Sequence, residues 1–296
     1  MDKENIYEKV TILIVTFKSH KIIEKCIENL NKKFKIRIIE NSNDKELTNH
    51  LEKKYSNVKC VNIGYDSGFG YALNRGIEQT STQYLISMNP DSFPEKNCLE
   101  SIIQTADKYN DVDIITPITL IKNGSKEFND YGYFKRKETK KNSNNHLYVD
   151  WVNGNVFLAK KKLFEEIGFF DENFFLEYEE RDFQKRMFDK NKKILIDFNA
   201  KSHHLLGKSA DEKYAFEMKC EAAWHHGWSR YYFNKKHFGV LYSLIRDLPF
   251  AFINLSKSII FKFLGNKKKS LIYKLYFFGF ISSLNNKKSN YRAVID

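Results

Sequence analysis

Short apolar runs alternate along most of the chain with segments whose apolar residues recur every three or four positions. Runs such as Val10–Thr16 are typical of buried strands, and the helical spacing is typical of amphipathic helices packed on a sheet. The pattern predicts strands at 10–16, 36–40, 58–62, 84–88, 112–116, 156–160 and 193–197, and helices at 20–31, 45–54, 70–79, 96–108, 161–167 and 176–190. Strands and helices in this order predict an α/β fold with a doubly wound, mostly parallel, Rossmann-like sheet.

Two regions depart from this alternation. Residues 122–148 are polar and rich in Lys and Asn, so we expect a loop or an exposed hairpin there. Residues 238–283 repeat apolar residues near helical spacing and interleave them with lysines, which predicts either helices packed on the preceding domain or amphipathic helices lying in a membrane surface. We therefore divide the chain into an α/β domain at 1–235, with halves at about 1–120 and 121–235, and a helical extension at 236–296.

The positive charge is concentrated in the extension. Residues 235–296 contain 12 Lys or Arg and two acidic residues, whereas the first 234 residues contain 37 basic and 35 acidic residues. A basic segment rich in aromatic and aliphatic residues favours an anionic membrane as its partner. A different class of protein with such a basic segment is a nucleic-acid-binding protein, but neither a helix-turn-helix nor an RNP pattern occurs in the sequence. We therefore expect no nucleic-acid partner.

Composition restricts the class and the compartment. The chain has 296 residues and is 42% hydrophobic, which is enough for a packed core. Its four cysteines lie far apart and show no CxxC pairing, as is usual in a reducing compartment. The polar start predicts no signal peptide, and because no run of about 18 uncharged apolar residues occurs, we expect no spanning helix. These features predict a cytoplasmic protein.

The apolar run Tyr84–Met88 stops at Asn89-Pro-Asp91. Proline has no N–H for a strand ladder and biases the residue before it away from helix. The carboxylate of Asp91 is therefore predicted at the C-terminal end of a buried strand, where open α/β sheets bind ligands. Such a carboxylate can hold a divalent ion that also binds a diphosphate. A Pro-Asp turn without a function is the structural alternative.

A glycine-rich segment, 64–70, precedes the predicted helix at 70–79. It does not match GxGxxG, and a flexible turn between a strand and a helix explains it equally well. In the functional interpretation, the loop lets a nucleotide approach the backbone, and Asn74 and Arg75 lie on the following helix.

Two polar clusters in the second half are further candidates. Glu177, Glu179, Glu180 and Asp182 follow an aromatic segment. The helix dipole accounts for the first of them but less well for the other three together. Mutual repulsion raises the pKa of crowded carboxyl groups and makes one of them a candidate general base. His204 follows the strand at 193–197 and is a candidate metal or phosphate ligand.

The order of these motifs resembles the family 2 inverting glycosyltransferases with a GT-A fold, and within them the rhamnosyltransferase-like branch of bacterial cell-surface polysaccharide synthesis. The resemblance covers about residues 8–240. The matching segments are Val10–Phe17, Glu40-Asn-Ser42, Asn62-x-Gly64, Asn74-Arg-Gly76, Asn89-Pro-Asp91, Trp151-Val-Asn-Gly154, Gly168-Phe-Phe-Asp-Glu172, Phe174-Phe-Leu176, Glu179-Glu180 with Asp182, and His204 through Ser209.

Carried over by position, the resemblance implies that Asp91 and His204 are metal ligands and that Glu180 is the catalytic base, with Glu179 as the alternative. On the donor side we expect Thr16, Phe17, Glu40, Asn41, Gly64, Asn74, Arg75, Asn89 and Asp91. On the acceptor or sugar side we expect Trp151, Asn153, Gly154 and Asp182. The family usually has Asp where this chain has Glu40 and Glu180.

The resemblance also implies the reaction and its partners. We expect a metal-dependent, inverting hexosyltransferase that uses Mg²⁺ or Mn²⁺. The first choice is transfer of rhamnose from dTDP-rhamnose to a lipid-linked saccharide in capsule, O-antigen or cell-wall polysaccharide synthesis. The alternative in the same family is a UDP-hexose-dependent galactosyl-, glucosyl- or N-acetylhexosaminyltransferase. We expect a peripheral location on the inner face of the plasma membrane, and the oligomeric state, including a homodimer, stays open.

Two other classes are disfavoured. A nucleotidyltransferase on a similar fold needs a Lys- and Gly-rich triphosphate loop near the N-terminus, and Val15–Ser19 does not supply one. A catalytically inactive homologue is disfavoured by the acidic residues at 91, 179, 180 and 182.

Overall fold

The computed structural model describes residues 6–121, 141–143 and 145–292. The chain forms two compact units: unit 1 is Met1–Phe170 with Phe183–Asp211, and unit 2 is Asp171–Asp182 with Glu212–Asp296. The predicted loop or hairpin at 122–148 lies largely outside the described residues.

Unit 1 is an α/β structure, and helix α6 begins in unit 2 and continues into unit 1. The strands are β1 (Val10–Thr16), β2 (Lys35–Glu40), β3 (Val58–Asn62), β4 (Tyr84–Met88), β5 (Ser92–Pro94), β6 (Ile114–Leu120), β7 (Lys141–Ser143), β8 (His146–Val149), β9 (Val156–Lys160) and β10 (Ile194–His204). The helices are α1 (His20–Asn29), α2 (Lys45–Lys54), α3 (Phe69–Glu78), α4 (Cys98–Lys108), α5 (Lys161–Ile167) and α6 (Glu179–Asp189).

One sheet contains all these strands in the order β3-β2-β1-β4-β9-β6-β10-β8-β7, with β5 paired to β10. Among the described strands, four pairings are parallel and five are antiparallel. The predicted α/β fold is confirmed, but the sheet is mixed rather than mostly parallel. The reason is that β9 runs antiparallel between β4 and β6, whereas α1 and α2 provide the crossovers that join the parallel strands β1, β2 and β3.

Helices cover both faces of the sheet, as a doubly wound topology requires. Alternate residues of β1 point to opposite faces: Ile12 and Ile14 pack with α1, α2 and α4, and Leu13 packs with α3, α5 and the unit 1 part of α6. Both faces are apolar, which explains why β1 and β4 read as continuous apolar runs rather than alternating ones.

Unit 2 is helical. Its helices are α7 (Ala215–Phe238), α8 (Val240–Phe263) and α9 (Lys267–Leu284), and a single 3₁₀ turn at Glu212–Tyr214 precedes them. Glycines let α7 and α9 touch backbone to backbone: a Cβ on Gly227 would lie 2.1 Å from the Tyr276 carbonyl oxygen, and one on Gly279 would lie 1.9 Å from that of Trp224. Helix α7 runs without interruption through position 235, so the division into functional domains at 235/236 stays a prediction about function.

Candidate active site

The topology places the loops after β1 and β4 at one edge of the sheet. These two strands are parallel neighbours, while β2, the next strand along the chain, lies on the other side of β1. Doubly wound sheets bind ligands at this switch in strand order, in the crevice beyond the C-terminal strand ends. Thr16 ends β1, and Asp91 lies three residues beyond the end of β4, so both belong to this edge.

The carboxylate of Asp91 is 1% exposed and only partly satisfied. Its Oδ2 accepts a hydrogen bond of 3.0 Å from the backbone N–H of Lys208. Its Oδ1 is buried, accepts no hydrogen bond from any described residue, and lies 3.3 Å from Nε2 of His204. Burying a carboxylate oxygen without a hydrogen-bond donor costs free energy, so such an oxygen is expected where a bound ligand completes the site.

Strand pairing brings His204 to Asp91. Strands β5 and β10 are antiparallel, and their register sets His204 opposite Ser92. Beyond β10 the chain turns back through Leu206 and Gly207, whose φ angles are 47° and 70°, and this turn presents the Lys208 N–H to the carboxylate. Glycine at 207 suits this turn because it adopts a positive φ without steric cost.

Asn155, which the sequence analysis did not single out, connects the parts of this site. Its backbone carbonyl accepts the N–H of Asn89 at 2.9 Å, just before Asp91. Its side-chain Nδ2 donates to Thr119 Oγ1 at 2.9 Å and lies 3.5 Å from His204 Nδ1. A polar residue directly before β9 is the only signal that the sequence offers for this role.

The pair Asp91 and His204 fits a divalent ion that shares its coordination with a substrate. A buried carboxylate oxygen and an imidazole nitrogen lie close together, and Mg²⁺ or Mn²⁺ in diphosphate sites is held by one or two protein ligands plus phosphate oxygens. No group of three or more His, Cys, Asp or Glu side chains among the described residues could hold a metal ion by itself.

The loop after β1 is tied to the segment after β10. Ser19 Oγ donates to the carbonyl of Ser209 at 2.6 Å, and the Asp211 N–H donates to the carbonyl of Lys18 at 3.0 Å. Phe17, a predicted donor-binding residue, is half-buried in this loop. The contacts bring the loop carrying Phe17 alongside the segment that covers Asp91.

Glu40 lies beside Thr16 in the sheet register and is completely buried. Its Oε2 accepts the hydroxyl hydrogen of Thr16 at 2.6 Å, and its Oε1 accepts from the backbone N–H and the hydroxyl of Ser42. Burial raises the pKa of Glu40, and the three donors oppose that rise. Protein groups donate hydrogen bonds to both carboxylate oxygens, so these contacts hold Thr16 and Ser42 in place. The predicted contact of Glu40 with the nucleotide sugar stays a prediction.

Four other predicted donor residues lie on α3 or in the loops near its start. Asn41 accepts the backbone N–H of Ser67 at 3.1 Å, and Gly64 has a φ of 85° in the same loop. Asn74 binds both backbone groups of Phe170, donating to its carbonyl and accepting its N–H, each at 3.0 Å. Arg75 pairs with Glu78 at 3.1 Å. The contacts of Asn74 are structural, so donor binding by Asn74 and Arg75 stays a prediction.

The predicted acceptor segment is held by Gln184, a residue for which no sequence pattern predicts a role. Gln184 is 2% exposed, accepts the N–H of Val152 at 2.7 Å and donates to its carbonyl at 2.9 Å. This double hydrogen bond fixes the segment that carries Trp151, Asn153 and Gly154, of which the first two are half-buried.

In unit 2, the acidic run begins in a strained turn. Glu177 and Tyr178 have φ angles of 67° and 72°, which non-glycine residues rarely adopt. The predicted helix at 176–190 therefore starts only at Glu179. The preceding carbonyl, that of Leu176, accepts the hydroxyl of Ser229 on α7 at 2.9 Å. Backbone strain of this kind persists only where the surroundings hold it, and it is concentrated at functional sites.

Burial separates the two candidate bases. Glu179 is 4% exposed, and burial followed by the nearby charges of Glu180 and Glu177 raises its pKa well above the usual value. Glu180 is half-buried, and burial, followed by the charge of Glu177, raises its pKa to about 7. A carboxyl group with a pKa near neutrality and access to solvent has the properties of a general base.

Asp182, predicted on the acceptor side, is fully buried and paired within unit 2. Its Oδ1 lies 2.7 Å from Nε2 of His237 and 2.7 Å from Nζ of Lys236. Lys236 also binds Asp171 at 2.7 Å. These contacts join the start of α6, where Asp182 lies, to Lys236 and His237 of α7. Contact between Asp182 and the acceptor stays a prediction.

Comparison with known proteins places the chain in a family. The model for glycosyl transferase family 2 matches residues 11–168, which is more than half of the chain. A low-salt glycan biosynthesis hexosyltransferase, Agl10 of Haloferax volcanii, is 23% identical over 194 residues, which are 61% of this chain and 62% of the relative. This chain thus spans less than two thirds of that relative's length.

Two solved structures share the fold. The mannosyltransferase PcManGT from Pyrobaculum calidifontis, in complex with GDP-Man and Mn²⁺, superposes with a TM-score of 0.58 at 10% identity over 95% of this chain and 88% of that chain. S. aureus TarS 1–349, in complex with UDP-GlcNAc, gives a TM-score of 0.54 at 14% identity over 94% of this chain and 92% of that chain. At such identities the likeness shows the fold, and the predicted GT-A architecture is confirmed. With the family match across β1 to α5, the chain belongs to glycosyl transferase family 2.

Proposed function

We propose that this enzyme transfers a hexose from a nucleotide-sugar donor, with inversion at the anomeric carbon, and that Asp91 and His204 hold the metal that binds the donor diphosphate. The observation that carries the proposal is the unsatisfied Oδ1 of Asp91, 3.3 Å from Nε2 of His204, at the strand-order switch of a family 2 fold. When bound, a divalent ion stabilises the charge that develops on the departing diphosphate. Imidazole ligation favours Mn²⁺ over Mg²⁺, since Mg²⁺ takes oxygen ligands.

Protein groups carry the remaining roles in this proposal. Glu180 removes the proton from an acceptor hydroxyl, and the resulting oxygen attacks the anomeric carbon on the face opposite the diphosphate. The bond from that carbon to the diphosphate oxygen breaks, so the configuration inverts and the proton stays on Glu180. Glu180 is favoured over Glu179 because it is partly accessible and its pKa is about 7, which allows it to accept a proton near neutral pH.

The donor is assigned by class. Rhamnose from dTDP-rhamnose is the first choice because of the motif order, and the family match is consistent with it. A UDP-hexose is the second candidate, and two observations favour it: the curated relative is called a hexosyltransferase, and the structural neighbour TarS binds UDP-GlcNAc. We further infer a lipid-linked saccharide acceptor and a site of action on the inner face of the plasma membrane, supported by the basic, apolar extension.

A thermal-shift panel tests the metal and the donor together. The full-length protein is heated with dTDP-rhamnose, UDP-glucose, UDP-galactose, UDP-GlcNAc or GDP-mannose, each with Mn²⁺, Mg²⁺ or EDTA. Ligands that bind only the native state raise the melting temperature by mass action, so one nucleotide class should stabilise the protein in a metal-dependent way. A panel with no metal-dependent shift for any donor would refute the proposal.

Variants locate the site. Asp91→Asn should abolish the metal-dependent shift, and His204→Ala should weaken it. His203→Ala is the matched control, because His203 is the adjacent residue and pairs with the exposed Glu95 at 3.1 Å. If His203→Ala weakens the shift as much as His204→Ala, the assignment of His204 as a ligand is wrong.

A further inference from the structure

Helix α8 has the reverse of the burial pattern of a helix on a water-soluble protein. The residues that it buries are small or polar: Ser243, Asp247, Ala251, Asn254 and Ser258. They recur at intervals of three or four and so form one stripe along the helix. A helix in water normally buries its large apolar residues and exposes its polar ones, so this stripe indicates that water is not the only surroundings of α8.

Specific contacts lock α8 in this rotation. Asp247 accepts hydrogen bonds from Arg230 Nε at 2.7 Å and from Asn234 Nδ2 at 2.8 Å, both on α7. Near the other end, the Ser258 hydroxyl donates to the Ser270 carbonyl at 2.8 Å, and the Ser270 hydroxyl donates to the Ser258 carbonyl at 2.8 Å. Rotating the apolar side inward would leave these polar groups buried without partners, which is unfavourable.

The opposite side of α8 and the turn into α9 expose large apolar side chains to solvent. We call them the outer surface of α8, defined by Leu241, Ile245, Phe252, Ile253, Ile259, Ile260, Phe263 and Leu264. Phe263 is 86% exposed, Leu241 73% and Leu264 70%, so the phenyl ring of Phe263, at the turn into α9, makes few contacts with the protein. A contiguous apolar surface of this kind marks a site of contact with a membrane or another protein.

The charges beside the outer surface select between these two partners. Exposed lysines lie at 257, 262 and 267–269, and no acidic residue occurs from 248 to 292. A second copy of this chain on the same surface would bring like charges together, whereas an anionic bilayer offers opposite charge to the lysines and hydrocarbon to the apolar side chains. No helix in the described part of the chain is long and apolar enough to span a bilayer.

We propose that the outer surface of α8 lies in the headgroup region of an anionic lipid bilayer, with Phe263 and Leu264 inserted most deeply and Lys267–Lys269 at the phosphates. The inference rests on the proposed function in one respect: a lipid-linked acceptor explains why the enzyme would bind a membrane. The structural observations behind it all lie in unit 2. Interfacial helices of this type combine buried apolar area with attraction to anionic lipid.

Vesicle co-sedimentation of the full-length protein tests the proposal. The probe is phosphatidylcholine vesicles with or without about 30% phosphatidylglycerol, at low and high salt. We expect binding to the anionic vesicles that weakens with salt, and much weaker binding to phosphatidylcholine alone. Equal binding to both, or no binding to either, would overturn the proposal.

Paired variants separate the two contributions. Phe263→Ser with Leu264→Ser should weaken vesicle binding at least about 100-fold, since burial of each such side chain is worth roughly 1.5–3 kcal/mol. Replacing Lys267, Lys268 and Lys269 by Gln should weaken it by a similar factor, because each lysine near an anionic surface contributes about 1 kcal/mol. The matched control replaces the exposed Lys21, Lys25 and Lys53 of unit 1 by Gln, which removes the same charge and should change binding little.

Two further measurements keep the outcomes distinct. Sedimentation velocity without lipid reports self-association. If the wild type is a dimer, the Phe263→Ser, Leu264→Ser variant is a monomer and neither binds vesicles, the outer surface of α8 binds a second copy of the chain and not a bilayer. The metal-dependent thermal shift with nucleotide sugar should be unchanged in these variants. If vesicle binding fails and the shift persists, the inference about α8 fails alone; if the shift is absent and binding persists, the proposed function fails alone.

Discussion

The pH dependence of turnover gives the most direct access to the proposed catalytic base. Burial, with a further contribution from Glu177, raises the pKa of Glu180 to about 7. A base must be deprotonated to act, so the rate of transfer should rise with pH up to the pKa and level off above it. With one ionisation, the deprotonated fraction is about ten times larger at about pH 8 than at about pH 6. Single-turnover transfer at saturating donor and metal should show a rising limb of that size.

Substitution of the charges around Glu180 tests whether the limb belongs to that residue. Glu177→Gln removes a neighbouring negative charge and should lower the pKa of Glu180, so the limb should move to lower pH and the rate at about pH 6 should increase. Glu180→Gln should reduce turnover by about 10²–10⁴-fold and leave the donor thermal shift intact. Glu179→Gln should retain most of the activity, because Glu179 is buried with a raised pKa and Gln resembles its neutral form.

The stability of the same variants gives an independent check. A carboxyl group whose pKa is raised on folding from 4.5 to about 7 destabilises the protein as pH rises through that window, because the folded state resists ionisation. Glu180→Gln should therefore melt at the same temperature as the wild type below about pH 4 and at a higher temperature above about pH 7. Glu180 is not the base if Glu177→Gln leaves the rising limb at the same pH, or if Glu180→Gln retains near-normal turnover while Glu179→Gln does not.

Three further predictions concern residues that support the sites. Asn74→Ala should lower the free energy of unfolding by about 2–4 kcal/mol in urea titrations, because it leaves both backbone groups of Phe170 without partners; a loss below about 0.5 kcal/mol would contradict this. Gly279→Ala should cost at least about 1–3 kcal/mol and lower the melting temperature, since its Cβ would lie 1.9 Å from the Trp224 carbonyl oxygen; an unchanged melting temperature would show that α7 and α9 are not packed so closely. Asn155→Ala should raise the Mn²⁺ concentration for half-maximal thermal shift, because it removes the side chain that packs 3.5 Å from His204 Nδ1, and an unchanged value would exclude Asn155 as a positioning residue.

The secondary structure of unit 1 followed closely from the sequence, and two of the exceptions have local causes. The strand predicted at 112–116 lies at Ile114–Leu120 instead. The bounds of α2, β3, β4, β9 and α5 agree with prediction. Strand β10 continues past the predicted end at 197 because the register shifts after Asp197 and its polar continuation pairs with β6 and the short β5. The helix predicted at 176 starts at Glu179, because positive φ angles at 177 and 178 have no signature in the residue types Glu and Tyr.

The predicted site residues became a site only through pairing across the sheet. Asp91 and His204 lie more than 100 positions apart in the chain, and the β5–β10 register brings them to 3.3 Å. The side chain of Gln184 binds the backbone of Val152, and that of Asn155 binds Thr119. A polar residue gives no sign in the sequence of which distant group it will bind. Residue types alone therefore indicated the candidate ligands but missed the residues that hold them.

The sequence by itself determined the order of strands and helices, the family and the concentration of positive charge in the last 60 or so residues, because periodicity and motif order are local properties of a chain. Tertiary structure decided that the sheet is mixed, that His204 meets Asp91, and that α8 turns its large apolar residues outward. Periodicity shows which residues share a side of a helix. Which side meets the protein depends on the partners that other segments offer, here Arg230 and Asn234 for Asp247 and Ser270 for Ser258.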